Sequence, residues 1–177
     1  MSELTESAET VPPQSPVAEA VATFERFFDN ERARLFQALL VITRSRAEAE
    51  DISQEAFLRV WERWERVRTL RDPAGYLHRT AMNAFRDRYR RTRLSLTRAL
   101  RPLPGTDAFD AVEARSVADQ VLGSLAPRQR AALVLTEGLG YSAEEAGDFL
   151  GIKGSTVRAL HHQARAALSK TVETIDE

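Results

Sequence analysis

The 177-residue sequence contains no cysteine, which excludes disulfide bonds and thiolate-ligated metal centres. Histidine is also scarce, with only His78, His161 and His162, so no zinc or iron site and no metal cofactor is expected. No stretch approaches the roughly 18 apolar residues of a membrane-spanning helix. The N-terminus lacks the basic start and apolar run of a secretion signal. The composition therefore predicts a cytoplasmic protein without membrane insertion.

Net charge is low as well, at −1 from 25 basic and 26 acidic residues. The charges are nevertheless segregated along the chain. Residues 86–93 read RDRYRRTR, with five arginines against one aspartate, whereas residues 1–17 carry three glutamates and no basic residue. A near-neutral total argues against a protein that coats DNA unaided, and it suits one that a larger partner delivers to DNA.

Apolar residues recur at helical spacing along most of the chain, and no strand-like alternation of useful length is found. The predicted helices are Glu19–Thr43, a second from the Ser45 cap to Trp64, a third from the Asp72 cap to Arg93, and four shorter ones at Val117–Ser124, Pro127–Glu137, Ala143–Leu150 and Thr156–Lys170. They predict an all-α fold of two small helical domains, 18–93 and 117–172. A flexible linker at 94–116 joins the domains, and a disordered tail at 1–17 precedes them.

One face of the third predicted helix carries four cations and an amide, here called the arginine stripe: Arg79, Asn83, Arg86, Arg90 and Arg93. Spacings of four and three residues keep all five on one helical face. A solvated charged helix is the plain alternative, but acids are scarce on this segment, which favours phosphate binding with an amide near base edges. Nearby aromatic residues could stack on unpaired bases or pack in the core: Trp61, Trp64, Tyr76 and His78.

The second predicted helix carries a mixed acidic and apolar face, here called the docking face: Asp51, Gln54, Glu55 and Leu58. Its opposite side repeats apolar residues every four positions and is expected to face the core: Ile52, Ala56, Val60 and Trp64. The docking face is either a solvated acidic surface or a site for a basic partner helix, and spacing alone leaves both open.

The segments DISQEAFLRVWERW and DPAGYLHRTAMNAFRDRYRR resemble region two of bacterial RNA polymerase sigma factors, specifically the small extracytoplasmic-function group. In that family the D-x-x-Q-E helix docks on the clamp helices of the polymerase β′ subunit. The next loop and helix recognise and open the minus-ten promoter element. The resemblance implies that the docking face contacts core polymerase and that the arginine stripe contacts the non-template strand. It also implies that the loop Val67–Ala74 helps to hold a flipped base.

The segment LAPRQRAALVLTEGLGYSAEEAGDFLGIKGSTVRALHHQARAAL resembles region four of the same family, a helix-turn-helix. A small trihelical core is expected from Leu133, Ala146, Leu150, Ile152, Val157, Ala164 and Leu168, with Ser155 capping the last helix. The outward residues would enter the major groove of the minus-thirty-five element: Ser155, Thr156, Arg158, His162 and Arg165. His161 stands where the family usually has leucine, and we expect it to be buried and hydrogen-bonded.

These resemblances imply a transcription initiation factor whose partners are core RNA polymerase, promoter DNA and an anti-sigma protein. It is not expected to be an enzyme, because no phosphate-binding glycine loop or acid-base constellation is present. Two rivals stay open: a stand-alone helix-turn-helix regulator, and a sigma-like interaction protein that opens no promoter. The linker spans about 75–80 Å when extended and about 25–30 Å when relaxed, so the domains of the free protein should lie at variable or collapsed spacing.

Overall fold

The computed structural model describes residues 16–99 and 122–175, and every regular element among them is helical. In chain order the helices are α1 (Pro16–Thr43), α2 (Arg46–Trp61), α3 (Trp64–Val67), α4 (Pro73–Ala99), α5 (Pro127–Leu133), α6 (Ala143–Leu150) and α7 (Gly154–Ile175). A π-helical turn at Val134–Gly138 follows α5 directly. The predicted all-α fold is confirmed.

Capping side chains fix where two of these helices begin. At α6 the Ser142 hydroxyl accepts from the Glu145 amide at 3.2 Å, and the Glu145 carboxylate accepts from the Ser142 amide at 2.8 Å. Both halves of the predicted capping box are therefore present. At α2 the Ser45 hydroxyl accepts from the Glu48 amide at 3.3 Å, but the Ser45 amide donates to the Thr43 hydroxyl at 3.2 Å. Only half of that box forms, because Thr43 replaces the glutamate as acceptor.

Two predicted boundaries in the N-terminal half are wrong. Helix α1 begins at Pro16, so Pro16 and Val17 are helical and not part of a disordered tail. Proline suits the first turn of a helix, where its missing N–H costs no hydrogen bond. Helix α2 ends at Trp61 and not at Trp64, because Arg63 leaves helical geometry with φ −122° and ψ 19°. The chain then restarts as α3, which carries Trp64 into the core.

The linker and the last helix also differ from expectation. Helix α4 continues to Ala99, so the first part of the predicted 94–116 linker is helical. No proline or glycine interrupts the sequence there before Pro102. Ser155 lies inside the first turn of α7 and does not cap it. The rest of the predicted tail, and most of the predicted helix Val117–Ser124, lie outside the described residues.

The buried side of α2 packs against α1 and α4, as the spacing predicted. All four residues expected there are buried: Ile52, Ala56, Val60 and Trp64. In the second half, Ala146, Leu150, Val157 and Ala164 are buried, whereas Leu133, Ile152 and Leu168 are half-buried. The trihelical core is therefore present, with three of its members at the edge.

The two halves pack directly on each other in one continuous apolar core. Helix α4 contacts α6, and α1 contacts both α5 and the π-helical turn. This is the collapsed spacing expected of the free protein. None of the described helices is long and apolar enough to cross a membrane. Across residues 16–99 and 122–175, no cluster of three acidic or histidine side chains could hold a metal ion.

Candidate nucleic-acid interface

The docking face of α2 is a polar surface with one prominent apolar side chain. Asp51, Gln54 and Leu58 are exposed, and Glu55 is half-buried. Leu58 is 59% exposed, so its side chain is accessible to a partner. The polar side chains around it suit either a solvated face or a site for a basic partner helix.

Arg88 of α4 lies across this face and was not anticipated from the sequence. Its guanidinium donates to the Asp51 carboxylate at 3.2 Å and to the Glu55 carboxylate at 3.2 Å. Arg59 pairs with the other Glu55 oxygen at 2.6 Å. Burial opposes the charge of Arg88, but the hydrogen bonds that it donates to Glu55 and Asp51 raise its pKa. The carboxylates of the docking face are thus already neutralised by arginines of the same chain.

The arginine stripe lies on the exposed side of α4. Arg79, Asn83, Arg86 and Arg90 are exposed, and Arg93 is helical with a side chain outside those described. Arg86 donates to the Asn83 amide oxygen at 3.2 Å, and Arg90 pairs with Asp87 at 3.4 Å. The stripe therefore combines exposed cations with a hydrogen-bonding amide, which suits contact with phosphates and bases.

The loop before α4 is shaped by one carboxylate. Asp72 Oδ1 accepts from the Gly75 amide at 2.8 Å and caps the helix, as predicted. A Cβ atom on residue 75 would lie 2.1 Å from Asp72 Oδ2, so the position requires glycine as long as the cap is in place. Leu70 is 37% exposed, and Arg71 is exposed beside it. The loop thus presents apolar and cationic side chains next to the arginine stripe.

Two of the four proposed base-stacking residues are unavailable. His78 is 1% exposed, and Trp64 is 6% exposed, with its indole N–H bonded to the Thr23 hydroxyl at 3.0 Å. Both are core residues, so of the two possibilities that the sequence left open, core packing applies to His78 and Trp64. Trp61 is 40% exposed and packs against Phe24 with the rings tilted by 58° and their centroids 4.9 Å apart. Trp61 and the half-buried Tyr76 keep accessible ring surface.

The helix-turn-helix presents the five residues predicted to face DNA. Ser155, Thr156, Arg158, His162 and Arg165 are all exposed. The turn is tight: Gly151 has φ +65°, a left-handed conformation that favours glycine. A Cβ on residue 147 would lie 2.7 Å from the Ile152 carbonyl oxygen, so only glycine lets α6 approach the turn this closely.

Acids of two neighbouring elements, the π-helical turn and α6, meet the cations of α7. Arg158 pairs with Glu144 at 2.5 Å, and its hydrogen bond lowers the pKa of that exposed carboxyl. Arg165 Nη1 lies 3.7 Å from Glu137 Oε1. The same carboxylate oxygen lies within hydrogen-bond distance of His161 Nε2, at 2.8 Å. His161 is hydrogen-bonded as expected, but its side chain is 25% exposed rather than buried, because it lies at the rim beside Glu137.

Each half of the chain matches a known protein family model. Residues 27–94 match sigma-70 region 2, and residues 115–168 match sigma-70 region 4. The RNA polymerase sigma-E factor of Streptomyces antibioticus is 31% identical over 132 residues, which cover 73% of this chain and 73% of that protein. The extracytoplasmic-function (ECF) RNA polymerase sigma factor SigM of Mycobacterium tuberculosis is 29% identical, covering 83% of this chain and 76% of its own.

Solved structures share the fold. The sigma factor RpoE of Bartonella quintana, in complex with the anti-sigma factor NepR, superposes with a TM-score of 0.67 at 17% identity, covering 85% of this chain and 97% of RpoE. CnrH, in complex with the cytosolic domain of CnrY, gives a TM-score of 0.58 at 25% identity, covering 89% and 94%. With both region matches in order along one chain, the protein belongs to the sigma-70 family of RNA polymerase sigma factors, in its extracytoplasmic-function group.

Proposed function

We propose that this sigma factor binds core RNA polymerase through the docking face and carries it to promoters that its two DNA-reading surfaces select. The main observation in support is that two helices with exposed arginines, α4 and α7, lie on separate halves of the chain. The docking face lies on α2, which packs against the first of them. The chain supplies binding energy in the cytoplasm and performs no chemistry of its own, which belongs to the polymerase.

On the docking face, Leu58 would enter an apolar depression of a β′ clamp helix while Gln54 hydrogen-bonds at its edge. Asp51 and Glu55 would pair with basic residues of that helix, because a basic partner can replace Arg88 without burying an unpaired charge. The solvent exposure of Leu58 supports this assignment, because burying the side chain against a partner removes apolar surface from water and so favours binding.

On the minus-ten surface, the arginine stripe would follow the non-template phosphates while Asn83 reaches a base edge. The loop before α4 would receive the flipped base, with Trp61 as the accessible aromatic surface nearby. On the minus-thirty-five surface, α7 would lie in the major groove with Arg158 reading a guanine. Arg158 must first leave Glu144, so this contact is weaker than that of an unpaired arginine.

The test is transcription in vitro with purified core polymerase on fragmented genomic DNA. The protein should produce discrete new transcripts, and the Asp51→Ala, Gln54→Ala double variant should reduce them by about tenfold or more at limiting polymerase. A matched control, Glu25→Ala with Asn30→Ala, removes one exposed carboxylate and one exposed amide from α1 and should transcribe normally. Equal loss in both double variants would contradict the docking face.

The observation that favours a second function is the acid pairing of α7. Glu144 and Glu137 meet Arg158 and Arg165, which reduces the positive potential that DNA would meet. A sigma-like interaction protein would bind polymerase yet yield no transcripts in the same assay. Because RpoE and CnrH were each solved with a second protein, NepR and the CnrY cytosolic domain respectively, a partner of the anti-sigma type is also proposed for this chain.

A further inference from the structure

A groove lies between the N-terminal end of α1 and the short helix α3, and it is here called the α1–α3 groove. Its volume is about 710 Å³, within the roughly 300–1,000 Å³ typical of small-ligand sites. Its lining comes from two segments, residues 16–20 of α1 and residues 61–68 around α3. The match to sigma-70 region 2 begins at residue 27, so the α1 wall of the groove precedes the matched segment.

The groove is preformed, because α3 is fixed to α1 on both sides of it. Trp64 of α3 is buried, and its indole N–H donates to the Thr23 hydroxyl of α1 at 3.0 Å. At the surface, Arg68 pairs with Glu65 at 2.9 Å and lies 3.9 Å from Glu19 of α1. A ligand that enters the groove therefore meets walls that are already in place, and little ordering opposes its binding.

Trp61 gives the groove an aromatic surface. It is the exposed member of the two tryptophans in the chain, and Phe24 supports its ring from α1. The α1 wall is aliphatic at this point, with Pro16 and Val17 both exposed. Unpaired bases bind between aromatic and apolar side chains, because their flat faces stack on the ring and leave water. The groove has this combination of surfaces.

Arginines at the rim add positive charge. Two of the three glutamates that line the groove already meet Arg68, and Glu62 is the third. Arg63 and Arg66 are exposed, and neither has an ion-pair partner in the part of the chain that the structure describes. Arg71 continues the series of exposed cations in the loop that leads to α4. An acidic peptide would pair with the same guanidiniums but leave the indole exposed, so the combination favours a nucleotide.

We propose that the α1–α3 groove binds one unpaired nucleotide of the non-template strand, with its base on Trp61 and its phosphates on Arg63 and Arg66. This inference rests on the proposed function, because only an opened promoter presents a single strand. It adds a second nucleotide site to the one that the loop before α4 provides. Every base has a flat face that can stack, so the groove contributes affinity for the open strand rather than sequence preference.

The first test measures binding of a short, fluorescein-labelled oligodeoxythymidine to the whole protein by anisotropy. Trp61→Leu should weaken binding about tenfold, the effect of losing one stacked base. The Arg63→Gln, Arg66→Gln double variant should lower the slope of log affinity against log salt by about 1.4, because each phosphate contact on a single strand contributes about 0.7. Arg26→Gln with Arg128→Gln is the matched control, since it removes two exposed arginines outside the groove and should leave the slope unchanged.

Tryptophan emission gives an independent readout, because Trp61 is exposed and Trp64 is buried. The oligonucleotide should quench the emission of the parent protein and leave that of Trp61→Leu unchanged. Helix content by circular dichroism checks that each variant is folded, and the exposed arginine pair keeps the test valid if Trp61→Leu is unstable. Quenching that survives in Trp61→Leu, or an unchanged salt slope in the Arg63→Gln, Arg66→Gln variant, would overturn the nucleotide site.

A different occupant would give a different result. Removal of residues 1–15 should leave the emission of Trp61 unchanged if the groove serves DNA. An emission that responds to this removal and not to the oligonucleotide would show that the N-terminal segment of the chain occupies the groove, and the proposal would then be wrong.

Photocrosslinking in the open complex with core polymerase identifies the nucleotide. Iododeoxyuridine is placed at one position at a time in the non-template strand, where it crosslinks to an aromatic side chain on which it stacks. One position should crosslink to Trp61, and a different position should crosslink to the loop Val67–Ala74. Crosslinks confined to that loop would overturn the second site.

The lifetime of the open complex separates this inference from the proposed function. The Trp61→Leu variant should lose its open complex about tenfold faster than the parent protein, with the same preference among promoters. No promoter-specific transcript from the parent protein contradicts the proposed function. Promoter-specific transcripts with equal open-complex lifetimes in the parent protein, in Trp61→Leu and in the Arg63→Gln, Arg66→Gln variant contradict the groove alone.

Discussion

Replacing Arg88 by methionine should strengthen binding to core polymerase. In the free chain Arg88 occupies two carboxylates of the docking face, Asp51 and Glu55, each at 3.2 Å. A basic polymerase helix must displace it before it can pair with the same oxygens. The Arg88→Met variant keeps the length of the side chain and removes this competitor, so Asp51 is free when the partner arrives and Glu55 keeps only its pair with Arg59.

The magnitude follows from exposure. Asp51 is 63% exposed, while Glu55 and Arg88 are about one-third exposed. Partly exposed ion pairs contribute about 0.2–1 kcal/mol each, so displacing both costs about 0.4–2 kcal/mol. Because solvent screens the Asp51 pair most, the lower half of this range applies, and binding should tighten about threefold. The gain should shrink as salt rises.

The assay is equilibrium binding of fluorescently labelled protein to core polymerase at two salt concentrations. Arg91→Met is the matched control, since it removes the same charge from an exposed position of α4 that has no partner among the described residues. Weaker binding of Arg88→Met, or equal effects of the two substitutions, would refute the competition and indicate that Arg88 instead holds the carboxylates in place for the polymerase.

Three further outcomes follow from the geometry. Gly75→Ala should lower the free energy of unfolding by about 1 kcal/mol because its Cβ displaces the Asp72 cap, and in an Asp72→Ala background the same change should be neutral or stabilising, as urea unfolding will show. Leu39→Ala should cost about 2–5 kcal/mol in the same measurement, since Leu39 is fully buried. Arg158→Ala should flatten preference at one base pair of the minus-thirty-five element by about 1–3 kcal/mol, measured by competition binding with substituted promoters, whereas Glu144→Ala should strengthen binding without changing preference.

The sequence predicted those helix features that depend on residues close together in the chain, such as caps and apolar repeats. The Ser142 and Glu145 box lies within four residues, and its two hydrogen bonds form as expected. The core face of α2 repeats every four residues and is buried throughout. The break at Arg63 was missed because no proline or glycine marks it, and the helix that restarts after it carries Trp64 into the core.

Contacts between residues far apart in the chain could not be predicted from the sequence. His78 meets a partner 63 residues away and Arg130 one 88 residues away, so neither could be distinguished from an ordinary surface side chain by spacing. An isolated histidine between Leu77 and Arg79 favours core packing over base stacking, but its spacing does not identify the buried partner. The exposed members of both DNA-reading surfaces were predictable, because helical periodicity alone determines which side faces outward.

The near-neutral net charge now has a structural basis. On the docking face and on α7, arginines are paired with acids from adjoining elements: Arg88 with Asp51 and Glu55, Arg158 with Glu144, and Arg165 with Glu137. Each pair weakens the electrostatic field that approaching DNA or polymerase encounters. Because exposed ion pairs contribute little free energy, a bound partner can replace them at small cost. We therefore expect this chain to bind DNA weakly on its own and more tightly when a larger partner brings the promoter within reach. Specificity then comes from binding that core polymerase makes possible, which is the behaviour expected of an initiation factor.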